Sequence, residues 1–182
     1  DDVEARIGSL TAPRSRFAYW RTVDGERLAP GSSQPLEVLI TGVFHKERFT
    51  DLIRHFVFFE GSGSKVSKIL GGYHQFHAVR VAVEKTRTAI GEKGDRRVGV
   101  VWHTQGSGKS YSMLFYAGKL VTDSVLKNPT LVVLTDRNDL DLQLFQTFSH
   151  GEKLLHQSPI QARDREHLRE LLRTTSGGVY FT

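Results

Sequence analysis

The stretch Val98-Gly99-Val100-Val101-Trp102-His103-Thr104-Gln105-Gly106-Ser107-Gly108-Lys109-Ser110 decides the reading of this 182-residue chain. Val98 to Trp102 is an apolar, β-branched run, the pattern of a strand buried on both faces of a parallel sheet. Directly behind it, His103 to Ser110 forms a loop rich in glycine and ending in Lys-Ser, followed by residues that suit a helix from Lys109 to about Thr122. Strand, glycine loop and helix in that order make a phosphate cradle. Gly106 and Gly108 allow positive φ and carry no Cβ to obstruct phosphate oxygens. Successive backbone N–H groups then point inward, and the helix N-terminus adds partial positive charge. Within this loop Thr104, Gln105, Gly106, Ser107, Gly108, Lys109 and Ser110 are the expected nucleotide contacts. Lys109 reaches the β- and γ-phosphates of ATP, and the Ser110 hydroxyl ligates Mg²⁺. The strict P-loop pattern wants glycine where His103 stands, so the match is Gly-x-Gly-Lys-Ser with a non-glycine start. His103 itself is expected to be a strand-end residue lying under the loop rather than a base.

Outward from this point the chain alternates helices and strands. Upstream, Tyr73, Phe76, Val79 and Val83 form an apolar stripe on a helix running to about Ile90. Downstream come a second buried strand, Thr130 to Thr135, and a helix from about Asp139 to Phe148. A charged helix from about Arg163 to Arg173 leads to a third strand at Val179. Such a succession implies an α/β domain with a parallel sheet. Before it, Phe17 to Val23 is short and β-prone, Pro30 to Pro35 is a loop, and residues 36 to 60 have helical spacing. Gly61-Ser62-Gly63-Ser64 breaks the pattern. The expected division is 1–62, a mostly helical segment, and 63–182, a P-loop domain.

Composition sets the outer limits. The aromatic content, with 11 Phe, 5 Tyr and 2 Trp, argues for a packed core. No apolar run is long enough to cross a bilayer, and the acidic start shows no secretory signal, so a cytoplasmic protein without membrane association is expected. The chain has no cysteine, which excludes disulfide scaffolds and thiolate metal sites. No histidine stands in a spacing with carboxylates that would hold a metal. A net charge of +5 mildly favours a polyanionic partner. The absence of an initiator Met and the apolar run at Val179 to Thr182 suggest a piece of a longer polypeptide.

Four stretches, taken in order, resemble the R subunits of type I restriction enzymes. Val101 to Ser110 looks like their motif I. Tyr73-His74-Gln75-Phe76-His77-Ala78-Val79 is similar to their Tyr-x-Gln-x-x-Ala-Val segment. Leu134-Thr135-Asp136-Arg137-Asn138-Asp139-Leu140-Asp141-Leu142-Gln143 looks like motif Ia, and Asp51 to Glu60 resembles the segment joining nuclease and motor domains. The resemblance implies a partial RecA-like P-loop domain, preceded by the end of a nuclease domain and a linker. It implies a superfamily 2 helicase-like motor that moves double-stranded DNA, assembled with methylation and specificity subunits.

By the same resemblance Gln75 reads the adenine, with Tyr73 or Phe76 stacking nearby; the other reading makes Gln75 the polar side of an amphipathic helix. Arg137, Thr135 and Asn138 would touch DNA phosphates at a strand's C-terminal end, where parallel sheets place their sites. Arg137 pairing structurally with Asp136 or Asp139 is the alternative. Asp136 as a Walker B aspartate is disfavoured, since no second acid adjoins it. The motor's Asp-Glu carboxylates are expected beyond Thr182. The nuclease's Glu-x-Lys is absent, because Glu37 is followed by Val38-Leu39 and Glu47 by Arg48-Phe49. Hydrolysis and DNA cleavage by these residues alone are therefore expected to be negligible. A small-molecule kinase would need a lid soon after the P-loop, and a non-catalytic remnant remains the other alternative.

Overall fold

The structure is a computed structural model and describes residues 3–61, 63, 66–136 and 138–182. The chain divides into two compact units, Asp1–Ala78 and Val79–Thr182.

In the first unit a two-residue strand, β1 (Arg6–Ile7), pairs antiparallel with β2 (Ala18–Tyr19). Two helices follow, α1 (Pro35–Val43) and α2 (Lys46–His55). Pro35 sits at the start of α1, where its fixed φ suits the first turn. The turn between the helices is held by Arg48, whose Nε donates to Gly42 O at 2.7 Å and whose Nη2 donates to Thr41 O at 2.8 Å. These carbonyls belong to the last turn of α1 and have no partner within the helix. The indole of Trp20 lies against Gly42, where a Cβ would come within 2.6 Å of its Cδ1, so no larger residue fits there. Trp20 also contacts the rings of Tyr73, Phe76 and His77, and Phe56 stacks obliquely on Phe76 at 4.8 Å between centroids. Buried Trp20, Phe56 and Phe76, together with Val38, Leu39, Val43, Leu52 and Phe58, form the core of the unit.

The helical reading of residues 36 to 60 fails at its end. Val57 to Glu60 is a strand, β3 (Val57–Glu60), paired antiparallel with β4 (Ser67–Leu70) in the register Val57↔Leu70 to Glu60↔Ser67. The run Phe56-Val57-Phe58-Phe59 is aromatic and β-branched, and pairing with Ser67 to Leu70 satisfies its backbone groups. Next comes α3 (Tyr73–Ile90), with the bounds the apolar stripe predicts.

The second unit is built on α4 (Lys109–Val121), β5 (Leu131–Val133), α5 (Asn138–His150), α6 (Glu152–Leu155), β6 (Ile160–Gln161), α7 (Arg165–Leu171) and β7 (Val179–Phe181). The three strands form a parallel sheet in the order β5-β7-β6. β7 lies between β5 and β6, and each parallel pair is joined by a crossover connection. Val179, Tyr180 and Phe181 are all buried in the central strand. Phe181 meets the edges of Phe145 and Phe148 at 5.4 and 5.1 Å, and Leu114, Phe115, Leu144 and Leu155 complete this core. Helix α4 lies against α6 at Gly118, where a Cβ would stand 3.2 Å from Leu154 O.

One expectation is overturned. Val98 to Trp102 is not a strand, and it is not buried. Val100 and Trp102 are 90% and 89% exposed. The run pairs with none of the described strands, and Gly99 turns it aside at φ +125°. Apolar composition alone does not hold an extended segment in place without a hydrogen-bonded neighbour. The strand β5 is also only half-covered, with Val132 at 39% exposure, rather than fully buried.

Candidate nucleotide site and strand-end cluster

The loop before α4 has the backbone a phosphate cradle requires. Gly106 and Gly108 both lie at φ +78°, in the region that favours glycine. Gly108 is the N-cap of α4, so the first N–H groups of a 13-residue helix open onto the loop. A Cβ built at Gly106 meets nothing within 4 Å, so there is open space at this glycine. Ser107 N donates to Thr104 O at 3.3 Å and closes the turn. Lys109 folds back over this turn, its Nζ donating to His103 O at 3.1 Å and to Thr104 O at 2.9 Å. The ammonium thus stands above the loop on two carbonyls. His103 is half-buried, and Ser110 lies half-buried in the first turn of α4.

Helix α4 is fixed to α3 within the second unit by polar contacts that sequence reading did not single out. Thr86 Oγ1 and Tyr116 Oη are 2.5 Å apart. Arg87 donates from Nε to Asp123 Oδ2 at 2.8 Å and from Nη1 to Glu84 Oε1 at 2.6 Å. The hydrogen bond to Asp123, ahead of the attraction of the two carboxylates, holds the Arg87 guanidinium above its ordinary pKa. Asp123 is buried just past the end of α4 and also accepts from Val125 N at 2.9 Å. Its signal in sequence was only an acid following an amphipathic helix.

Gln75 lies in the first unit, 6% exposed, at the start of α3. Its Oε1 accepts from Gly72 N at 2.9 Å. This is the return half of a capping box, in which the third helical residue bonds the backbone of the N-cap. Gln75 is thus a buried polar residue that caps the start of its helix. Tyr73 is half-buried at the same helix start, against Trp20 and His74. Phe76 is fully buried in the core and so is committed to packing.

The motif Ia residues fall at the C-terminal end of β5. Arg137 lies outside the described residues, and of Asn138 only its place at the start of α5 is described. Thr135 N donates to Thr182 O at 3.3 Å, which ties this end to the strand beside it. The Thr135 hydroxyl donates to Asp141 Oδ1 at 3.1 Å, and Gln161 Nε2 donates to Asp141 Oδ2 at 2.5 Å. Asp141 and Gln161 were not foreseen. Asp141 stands within the quoted motif, six residues after Thr135, and that spacing across a strand-to-helix turn was the available signal. Among the described residues there is no group of three or more His, Cys, Asp or Glu that could hold a metal ion, and no helix is long and apolar enough to cross a membrane.

A family model of the SWI2/SNF2 ATPase matches residues 74–182, more than half of the chain, and the chain belongs to that family. It is a helicase-like motor part, of a family that uses nucleotide. The resemblance to type I restriction enzyme R subunits is equally plain in its relatives. The chain is 52% identical, over its whole length, to the type I restriction enzyme HindI endonuclease subunit of Haemophilus influenzae. It is 34% identical, again over its whole length, to a protein of Methanocaldococcus jannaschii named as a type I restriction enzyme endonuclease subunit, MjaIXP. In both cases the chain spans 18% of the relative's length. No solved structure matches the chain.

Proposed function

We propose that this chain binds ATP with Mg²⁺ at Thr104 to Ser110 and serves as the front of an ATP-driven motor that moves double-stranded DNA. In this reading the motor works for the endonuclease subunit of a type I restriction-modification system, with methylation and specificity subunits as partners. Residues 1–62 close a nuclease domain and linker, and 63–182 begin the first motor domain.

The observation that carries the reading is the loop itself. Two glycines at positive φ, open space at Gly106 and a lysine poised over the turn match the needs of a triphosphate. The backbone N–H groups of Gly106 to Lys109 orient the phosphate oxygens. Lys109 leaves the carbonyls of His103 and Thr104 and places its charge on the β- and γ-phosphates, where negative charge gathers during transfer. Ser110 offers its hydroxyl to Mg²⁺, which neutralises phosphate charge when bound. Gln75 presents amide groups to the adenine, and Tyr73 stacks beside the base. Arg137, Thr135 and Asn138 grip DNA phosphates without regard to sequence, as a translocating motor requires.

Calorimetry on the full-length polypeptide tests this. MgATP should give a saturable heat that Lys109→Ala weakens by at least roughly tenfold, the equivalent of about 1.4 kcal/mol, and ATP hydrolysis should fall with it. Identical saturable heats before and after the substitution would refute the cradle.

A further inference from the structure

We propose that Asp141 is a positioning residue that restrains DNA contact at the end of β5: a latch that holds Thr135 away from phosphate. This inference rests on the reading of Thr135 and Arg137 as DNA contacts.

An ionised carboxylate only accepts hydrogen bonds, so Thr135 must donate its hydroxyl proton to Asp141 and Gln161 must turn its amino nitrogen toward it. A hydroxyl has a single proton. With that proton on Asp141 and the Thr135 backbone N–H on Thr182 O, Thr135 has no donor left for a phosphate oxygen, which itself can only accept. The Asp141 carboxylate, its Oδ1 3.1 Å from the Thr135 hydroxyl, adds a negative charge that would repel a phosphate at this point. Gln161, on β6, keeps that carboxylate at the strand ends and gives it a second partner.

A phosphate therefore binds at this point only after the Thr135 hydroxyl rotates away from Asp141 while Gln161 retains the carboxylate. The arrangement makes the grip weak and reversible, which suits a motor that must release each phosphate as it steps.

The test is DNA affinity of the full-length polypeptide, measured by anisotropy with a labelled random-sequence duplex at low salt. Asp141→Asn keeps the shape and lets the Gln161 amide turn over to maintain its bond, but it removes the charge and leaves a neutral amide oxygen that holds the Thr135 proton less strongly. It should bind DNA roughly three- to tenfold more tightly, with the gain shrinking as salt rises. Asp141→Glu retains the charge and should not tighten binding. A residue that only supports the fold would, on substitution, weaken binding or leave it unchanged. Arg137→Ala separates the two claims. If it leaves affinity unaltered, the DNA reading of this strand end falls and the latch falls with it. If it weakens binding while Asp141→Asn does not tighten it, the latch alone is overturned.

Discussion

Val98 to Trp102 and Val179 to Phe181 carry the same signature, short, apolar and bounded by turn residues, yet they end in opposite environments. The second is the middle strand of a parallel sheet, paired with β5 on one side and β6 on the other, and Phe181 is fully buried. The first is unpaired among the described residues, and its Trp102 faces solvent. Side-chain burial follows from backbone pairing here, not the reverse. A strand contributes an apolar face only once its N–H and C=O groups have partners, and those partners come from elsewhere in the chain.

The sharpest way to break this comparison is a matched set of truncations along the gradient of burial. In the 182-residue chain, Phe181→Ala should destabilise the second unit by about 3–5 kcal/mol, through lost burial and the cavity left beside Phe145 and Phe148. Val132→Ala, on the half-covered flanking strand, should cost about 1 kcal/mol. Trp102→Ala should change stability by no more than about 0.5 kcal/mol. Urea unfolding followed by circular dichroism measures all three, and a Trp102 cost approaching that of Phe181 would show the run to be covered after all. A milder probe uses the two tryptophans alone. Iodide should quench Trp102 readily and Trp20 hardly at all, since Trp20 is 4% exposed. Trp102→Phe should then remove most of the quenching. In a polypeptide as long as the relatives, the same measurement reports whether a neighbour has covered this run.

Much of the second unit was legible because its signals are local. The α3 stripe, the Gly-x-Gly-Lys-Ser loop and the α4 start are each set by residues within a turn or two of one another. The two-residue β6 was not legible, because a run so short has no periodicity to read. Val57 to Glu60 was misread because Phe56 and Val57 extend a helical spacing that begins at Leu52, and only the distant Ser67 to Leu70 settles the choice. At the candidate site, the loop residues are singled out by their types and spacing. The Asp141 contacts were not, since Gln161 reaches Asp141 across 20 positions of sequence.

The Gly-x-Gly-Lys-Ser loop, the helix that follows it and the class of motor to which both belong were legible in the residues alone. Glycine conformations, helix starts and the reach of a lysine are properties of neighbouring residues. Tertiary structure alone decided which apolar run became the sheet's centre, that Asp123 would anchor Arg87, and where the proton of Thr135 would point. Each of those depends on which groups from remote parts of the chain arrive within hydrogen-bonding distance, and local composition does not encode that.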